Sequence, residues 1–100
     1  MRFIVSDPEP TQFESDVLDL VAALRPGEVV TYGEIAAEVG KPGAARAVGS
    51  TLRRYGRSVP WWRVVAANGR LVPGGEQRQT DKLTAEGITM RNGKVVMSSL

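Results

Sequence analysis

Two short helices joined by a turn are predicted by the stretch TYGEIAAEVGKPGAARAVGSTLRRY, residues 31–55. Thr31 and Glu34, three residues later, form a capping box, which satisfies free backbone N–H groups at a helix start. The segment Lys41-Pro42-Gly43 interrupts the helical pattern, and a second, basic helix is expected from about residue 44 to residue 55. Helix, tight turn and basic helix in this order are typical of a helix-turn-helix motif.

The flanking sequence predicts one helix before this motif and a helix with hairpins after it. Apolar residues recur at helical spacing over residues 11–24, where Thr11 and Glu14 form another capping box. The later elements are a strand over 62–66 with a hairpin turn at Asn68-Gly69, a helix over 76–86, and a hairpin over 88–97 turning at Asn92-Gly93. The predicted fold class is mainly α with small β hairpins, a winged-helix-like arrangement of helix-turn-helix plus wing in one domain, residues 1–100.

Two amino acids are missing from the composition, cysteine and histidine. Without them the chain has no disulfide, no thiolate nucleophile, no imidazole base, and no metal site built on either residue. Any catalysis would have to rest on carboxylates, lysines, tyrosines or hydroxyls, and we expect no metal site and no cofactor. No apolar run is long enough to span a membrane, and the start MRFIVSDPEP lacks the pattern of a signal peptide. The expected location is the cytoplasm, at the nucleoid in a bacterium.

The formal net charge of +2 hides a strong segregation along the chain. Residues 1–40 carry eight acids and two bases, whereas residues 41–70 carry seven bases, six of them arginine, and no acid. Such a basic segment is a candidate footprint for a polyanion such as nucleic acid, and would make the fold a DNA-binding domain. The alternative is a solvated basic face that balances the acidic N-terminal part.

The basic helix is predicted to have one buried face and one outward face. The buried face comprises Ala44, Val48, Leu52 and Tyr55, and the outward face comprises Arg46, Gly49, Ser50, Arg53 and Arg57. A glycine in mid-helix costs about 1 kcal/mol relative to alanine, so Gly49 needs a reason. Either the helix backbone approaches DNA closely at Gly49, or another element of the protein packs against it.

Two adjacent tryptophans follow this helix in the segment Val59-Pro60-Trp61-Trp62. Tryptophan usually contributes to a core, and Trp62 alternates with Val64 as residues on one face of a strand do. At least one of the two tryptophans is therefore expected to pack in the interior. Arg63 is as readily a structural hydrogen-bond donor as a ligand contact.

Several linked motifs together resemble a known family. They are Thr31-Tyr32-Gly33-Glu34-Ile35-Ala36, Arg46-Ala47-Val48-Gly49, Pro60-Trp61-Trp62-Arg63-Val64-Val65, and Gly75-Glu76-Gln77-Arg78-Gln79 with Leu83 and Glu86-Gly87. In this order and near these spacings they resemble the DNA-binding domain of the O6-alkylguanine-DNA alkyltransferases, and more narrowly the alkyltransferase-like proteins. The resemblance covers roughly residues 11–90.

The resemblance implies a protein that recognises a lesion without repairing it. Trp61 stands where the transferases carry the cysteine that accepts the alkyl group, and such a replacement is the mark of the alkyltransferase-like branch. Trp62 stands where a histidine relays a proton, with Glu86 matching the glutamate behind it. The branch usually keeps this histidine, so Trp62 is a departure that puts the usual pocket shape in doubt. The loop before Pro60 is also slightly shorter than in the transferases.

The resemblance also implies how double-stranded DNA would be held. The recognition helix, residues 44–54, would enter the minor groove, Arg46 would replace an extruded base, and Tyr32 would crowd the target phosphate; the alternative for Tyr32 is packing on the core. The expected DNA contacts are Tyr32, Arg46, Ala47, Gly49, Ser50 and Arg53. The expected lesion pocket comprises Tyr32, Leu52, Trp61, Val64 and Arg70, with the backbone of 61–64 and the loop 69–75.

The expected partners are duplex DNA containing O6-alkylguanine and, by resemblance, proteins of nucleotide excision repair, with the protein acting as a monomer. Two other functions remain open from the sequence. One is a winged-helix transcriptional regulator without lesion specificity, which would usually dimerise on a palindrome, although no dimerisation stripe is visible. The other is a glycosylase-like enzyme with Glu86 or Asp81 as its base.

Overall fold

The computed structural model describes residues 9–97. The prediction that the chain has no signal peptide rests on residues 1–8, which lie outside the described part. The helices occur in the order that the sequence predicts. The described elements are α1 (Gln12–Ala22), β1 (Val30–Thr31), α2 (Tyr32–Glu38), α3 (Ala45–Tyr55), β2 (Val64–Val65), α4 (Glu76–Ala85), β3 (Met90–Arg91) and β4 (Lys94–Val95), with 3₁₀ turns at Gly56–Ser58 and Trp61–Arg63. The longest of these described helices has 11 residues, too few to cross a bilayer.

Both predicted capping boxes are present. The Thr11 hydroxyl accepts from the Glu14 N–H at 3.1 Å while the Glu14 carboxylate accepts from the Thr11 N–H at 2.9 Å. Thr31 and Glu34 make the same pair of bonds at 3.0 and 2.7 Å. Each box satisfies two donors that a helix start leaves without partners. This local chemistry explains why α1 and α2 begin where the sequence predicts.

Helices α1, α2 and α3 enclose the first of two apolar clusters. Its buried members are Val17, Val21, Ile35, Ala36, Val48 and Val64. The apolar face predicted for α3 is confirmed for three of its four residues, since Val48 is wholly buried and both Ala44 and Leu52 pack against the cluster, whereas Tyr55 is partly buried outside it. The helix-turn-helix pair α2–α3 is thus held on α1, and the opposite face of α3 is turned outward.

The strand predicted over residues 62–66 is confirmed only at Val64–Val65, and its partner is an earlier strand. Residues 61–63 form a 3₁₀ turn, and β2 pairs in parallel with β1, Val64 opposite Val30. Val64 and Val65 are both 0% exposed, so the strand is covered on both faces, and consecutive apolar residues are typical of such parallel strands. The turn at Asn68-Gly69 does form, with the Gly69 N–H bonded to the Ala66 carbonyl at 2.8 Å and the Ala66 N–H bonded to the Arg70 carbonyl at 3.0 Å, and the backbone of Arg70 also pairs with Lys94 of β4.

The second predicted hairpin is confirmed, although its strands are only two residues long. Met90 pairs with Val95, and the turn places Asn92 at φ 55° and Gly93 at φ 74°, which suits an Asn-Gly hairpin turn. Val95 also approaches the turn at Gly69, where an added Cβ would lie 2.2 Å from the Val95 carbonyl oxygen. This close approach, together with φ +85°, requires glycine at position 69.

A second apolar cluster lies between β2, α4 and this hairpin. Its buried members are Val65, Leu71, Leu83 and Val95, with Trp62 packed against them. The strands β1 and β2 lie between the two clusters, because Val64 belongs to the first and Val65 to the second. The segment that carries both tryptophans is therefore fixed between the helix-turn-helix and α4.

Candidate nucleic-acid interface

The outward face of α3 is rich in arginine and has no acid. Arg46, Ala47, Ser50 and Arg53 are exposed, as the sequence predicts. Among residues 9–97, none of the arginines on this helix forms an ion pair with a carboxylate. Unpaired guanidinium groups on one helix face are free to contact phosphate oxygens. The face therefore has the charge and accessibility that binding to a nucleic acid needs.

Tyr32 at the start of α2 borders this arginine face. Its ring packs against the first apolar cluster but stays half-buried, and a Cβ added at Gly49 would lie 3.9 Å from its Cε1. Burial raises the pKa of the Tyr32 hydroxyl, and the charge of the nearby Arg53 offsets part of that increase. Tyr32, Gly49 and Arg53, three of the predicted DNA contacts, thus form one continuous surface. Tyr32 combines core packing with an accessible edge.

Arg63 is the one arginine of the basic segment that turns inward, and its structural role is confirmed. Its Nη2 donates to Glu86 Oε2 at 2.7 Å, its Nε lies 3.1 Å from both Glu86 oxygens, and its Nη1 donates to the Leu24 carbonyl at 2.9 Å. Its side chain is 10% exposed. This ion pair connects the end of α1, the 3₁₀ turn and the end of α4, and Arg63 does not contribute to the outward basic face.

Trp62 contacts the same carboxylate. Its indole Nε1 donates to Glu86 Oε2 at 2.8 Å, and the Lys82 ammonium lies 4.5 Å from its ring centroid. Glu86 also accepts from the Gly27 N–H at 2.9 Å. Hydrogen bonds from Arg63, above all, together with those from Gly27 and Trp62, lower the pKa of Glu86 to about 2, although burial opposes them.

This environment makes Glu86 unsuitable as a general base. A carboxylate that holds three donors and has a pKa near 2 does not accept a proton at neutral pH. Asp81, the other base considered, is exposed on α4 and accepts a hydrogen bond from the Gln77 amide at 2.9 Å. The structure therefore gives no support to glycosylase-like chemistry at either residue.

Trp61 differs from its neighbour. It belongs to neither apolar cluster of the described residues and is half-buried, with its ring set edge-on to Trp62 at 6.1 Å and 88°. The Arg78 guanidinium carbon lies 5.8 Å from its ring centroid. Both tryptophans are partly buried: Trp62 packs against the second apolar cluster, as expected of at least one of the pair, and Trp61 presents part of its ring beside the end of the basic helix.

The predicted pocket residues are not equally available around Trp61. Leu52 is its neighbour, since a Cβ added at Gly56 would lie 3.4 Å from the Leu52 side chain and 3.7 Å from Trp61 Cβ. Val64 is wholly buried and its carbonyl accepts from the Gln79 amide, so the structure does not bring Val64 to the surface around Trp61. Arg70 is exposed, and its backbone pairs in antiparallel fashion with that of Lys94 in the hairpin. Two open clefts elsewhere in the molecule share Glu34 and are lined by other residues than these.

Comparison with known proteins identifies the family. The DNA-binding domain of 6-O-methylguanine DNA methyltransferase matches residues 12–88. The chain belongs to this family. Among its relatives, alkyltransferase-like protein 1 of Schizosaccharomyces pombe is 41% identical over 83 residues, covering 77% of each chain. A DNA base-flipping protein of Escherichia coli is 44% identical over 80 residues, which are 76% of this chain and 62% of that protein.

Solved structures agree with this assignment. A crystal structure of S. pombe Atl1 in complex with damaged DNA containing O6-carboxymethylguanine superposes with a TM-score of 0.73 at 40% identity, covering 80% of both chains. The mainly helical fold and the helix-turn-helix arrangement are therefore confirmed. Within the methyltransferase DNA-binding family, this chain has no cysteine, so it lacks the thiolate that a cysteine methyltransferase requires.

Gln79 shapes the site, although the sequence analysis names it only as part of a motif and gives it no role. Gln79 is wholly buried; its amide donates to the carbonyls of Trp62 and Val64 at 3.1 and 3.0 Å, and its oxygen accepts from the Val72 N–H at 2.7 Å. It fixes α4 against the tryptophan segment. The available signal was weak: a glutamine that shares its helix face with the buried Leu83, at i and i+4.

The space around Gly49 distinguishes the two explanations given for this glycine. A Cβ at this position would make only an ordinary van der Waals contact with Tyr32, so packing within the protein does not require glycine. We expect Gly49→Ala to stabilise the free protein by up to about 1 kcal/mol, since alanine favours the helix, and to weaken DNA binding by crowding the closest approach. Urea unfolding and DNA titration of the same variant measure both; lower stability, or unchanged DNA affinity, would contradict the interpretation.

The pKa of Glu86 leads to a pH-dependent stability. Because folding lowers this pKa from the usual 4.5 to about 2, the ionised carboxylate stabilises the fold above pH 4.5 and this contribution is lost as pH falls towards 2. Between pH 7 and pH 3 the loss should be on the order of 2 kcal/mol. Urea unfolding at both pH values measures it, with Glu86→Gln as the control: equal losses in the two proteins would exclude Glu86 as the source.

Proposed function

We propose that this protein is a non-catalytic DNA damage sensor that binds O6-alkylguanine in duplex DNA. The observation that carries the proposal is that a chain without cysteine combines the unpaired arginine face of α3 with a half-buried Trp61, whose Cβ would lie 3.7 Å from a Cβ on Gly56 at the end of α3. The complex of the S. pombe relative with DNA containing O6-carboxymethylguanine supports the choice of ligand. The name of the E. coli relative, a DNA base-flipping protein, supports the mode of binding.

Recognition requires the damaged nucleotide to leave the helix. An O6 substituent is hidden within the duplex, and extruding its nucleotide costs a few kcal/mol. In our proposal α3 lies in the minor groove and the exposed Arg46 fills the vacancy, because a planar cation can both stack and hydrogen-bond there. Tyr32, at the border of the arginine face, crowds the phosphate of the target nucleotide, and Gly49 lets the helix backbone approach closely.

In our proposal Trp61 and Trp62 take the places of the acceptor cysteine and the relay histidine of the transferases. An indole has no thiolate and cannot accept the alkyl group. Trp62 keeps a hydrogen bond to Glu86 and serves the fold, since no proton relay is needed once the acceptor is gone. Trp61 provides the aromatic wall for the extruded base, with Leu52 near it and Arg70 at the edge, and the wholly buried Val64 supports this wall from the interior.

Trp61→Ala tests the lesion pocket. Because an alkylated guanine has lost its N1 proton and gained an apolar group, an aromatic wall favours it over normal guanine. We expect the variant to lose about tenfold or more of its preference for an O6-methylguanine duplex over the matched plain duplex, in line with the 1–3 kcal/mol that base–aromatic stacking contributes. Fluorescence anisotropy with both duplexes measures the ratio, and the plain duplex serves as the control for general damage to the protein.

An unchanged ratio of affinities in Trp61→Ala would show that the ring only packs against the protein. Equal affinity of the parent protein for the two duplexes would favour the second candidate, a winged-helix regulator without lesion specificity. The basic helix-turn-helix supports that candidate as well, whereas the half-buried Trp61 beside it has no role in a regulator of this kind.

The proposal extends to the setting in which the sensor works. Residues 1–100 form a single domain that binds as a monomer and needs no cofactor. The bound, bent duplex marks the lesion for nucleotide excision repair, because the protein cannot remove the alkyl group itself. Such a protein works where the DNA is, in the cytoplasm, at the nucleoid if the cell is bacterial.

A further inference from the structure

Arg78 is a cation at Trp61 that the proposed mechanism does not use. It is exposed on α4, and its guanidinium carbon lies 5.8 Å from the Trp61 ring centroid. The two nearest acids in sequence have other partners: Glu76 accepts from the Gly74 N–H at 2.9 Å and Asp81 from the Gln77 amide at 2.9 Å. No carboxylate within residues 9–97 forms an ion pair with Arg78, so its charge is available.

The position of Arg78 is fixed by its neighbour in sequence. Gln79 is wholly buried and donates to the backbone carbonyls of Trp62 and Val64, so the first turns of α4 cannot slide along the tryptophan segment. The backbone that carries Arg78 is therefore held in place by a buried hydrogen-bond network, while its exposed guanidinium lies over the Trp61 ring in a cation–π contact. A backbone fixed in this way keeps the cation within reach of a group bound at Trp61.

We propose that Arg78 forms a subsite for O6 substituents that carry a negative charge, such as a carboxylate. The proposal rests on the proposed lesion pocket at Trp61. A guanidinium group near a ring keeps N–H donors in its own plane, and the spacing of these donors matches the two oxygens of a carboxylate. An alkyl chain that leaves the guanine O6 along the Trp61 ring would bring its charged end to Arg78. Neutral substituents of the same size would gain no such contact.

The contribution of charge can be separated from that of shape with two isosteric lesions. Duplexes of one sequence would carry O6-carboxymethylguanine, its neutral analogue O6-carbamoylmethylguanine, or unmodified guanine. At ~150 mM salt, where phosphate contacts are weakened, we expect the parent protein to bind the carboxylate lesion about tenfold more tightly than the carboxamide lesion. Arg78→Gln should bring this ratio close to one.

Lys82→Gln is the matched control, because it removes an equal charge one helical turn away, over the ring of Trp62 rather than Trp61. Lys82→Gln should keep the tenfold ratio of the parent protein. Arg78→Lys keeps the charge but loses the planar pair of donors, so its carboxylate-to-carboxamide ratio should lie between that of the parent protein and that of Arg78→Gln. Thermal unfolding would confirm that all variants fold.

The outcomes separate the two proposals. A carboxylate-to-carboxamide ratio of one in the parent protein, or an unchanged ratio in Arg78→Gln, would overturn the subsite while leaving the lesion sensor in place. Equal losses on all three duplexes in Arg78→Gln would make Arg78 a phosphate contact and would overturn the subsite too. If the parent protein binds neither lesion better than unmodified guanine, the sensor itself fails, and the subsite with it.

Discussion

Arg46→Ala should weaken binding to a duplex containing O6-methylguanine by about 30-fold or more, the largest loss expected for any single residue of the α3 surface. Arg46 is exposed near the start of α3 and is unpaired among the described residues, so its guanidinium is free to enter the base stack. Removing it takes away stacking, worth about 1–3 kcal/mol per base, together with hydrogen bonds to the orphaned partner base. Fluorescence anisotropy on the lesion duplex at fixed salt measures this loss.

The matched control for Arg46 is Arg57→Ala, which removes the same charge from an exposed position just after α3. A phosphate contact at Arg57 should cost only a few-fold in affinity and should reduce the slope of log affinity against log salt by about one. Arg46→Ala should reduce the salt slope by no more than Arg57→Ala does, yet it should lose far more affinity for the lesion duplex than Arg57→Ala. Similar losses in the two variants would remove the intercalating role and leave Arg46 as one phosphate contact among several.

Arg63→Met should destabilise the protein by about 3–5 kcal/mol, the largest loss of stability expected, because a buried charge pair would lose one member. The guanidinium satisfies both Glu86 oxygens and the Leu24 carbonyl, and methionine satisfies none of them. For a domain of 100 residues, such a loss is a large part of the total free energy of unfolding. Urea unfolding at pH 7 would measure it.

Two further variants show whether the loss comes from the buried pair. Arg70→Met changes an exposed arginine in the same basic segment and should alter the free energy of unfolding by less than about 0.5 kcal/mol. The double variant Arg63→Met with Glu86→Gln should recover part of the loss, since the unpaired carboxylate is gone. A double variant as unstable as the sum of both single variants would mean that the pair is not coupled.

The helix-turn-helix could be predicted because its signals are local. Thr31 and Glu34 satisfy helix donors within one turn, and the spacing of Val48 and Leu52 identifies the buried face of α3 whatever lies opposite. The residues of α3 that do not belong to this buried face, among them its arginines, must then lie on the outward face. The predictions that rest on helix capping and on helical periodicity agree with the structure.

The parts that could not be predicted depend on contacts between distant residues. The strand β2 pairs with β1, some 34 positions earlier in the chain, rather than with the segment just after it, and no local pattern indicates that choice. Glu86 holds Arg63 and Trp62 from more than 20 residues away, and Gln79 holds the same segment from α4. The roles of the tryptophans therefore emerge only when the fold brings these residues together.

The most direct test of the sensor titrates the parent protein into two fluorescent duplexes that differ by one O6-methylguanine, at ~150 mM salt. The lesion duplex is then recovered and its mass determined. We predict clear preference for the lesion with the methyl group still on the DNA. Equal, salt-sensitive binding to both duplexes, or loss of the methyl group from the DNA, would contradict a non-catalytic sensor of alkylated guanine.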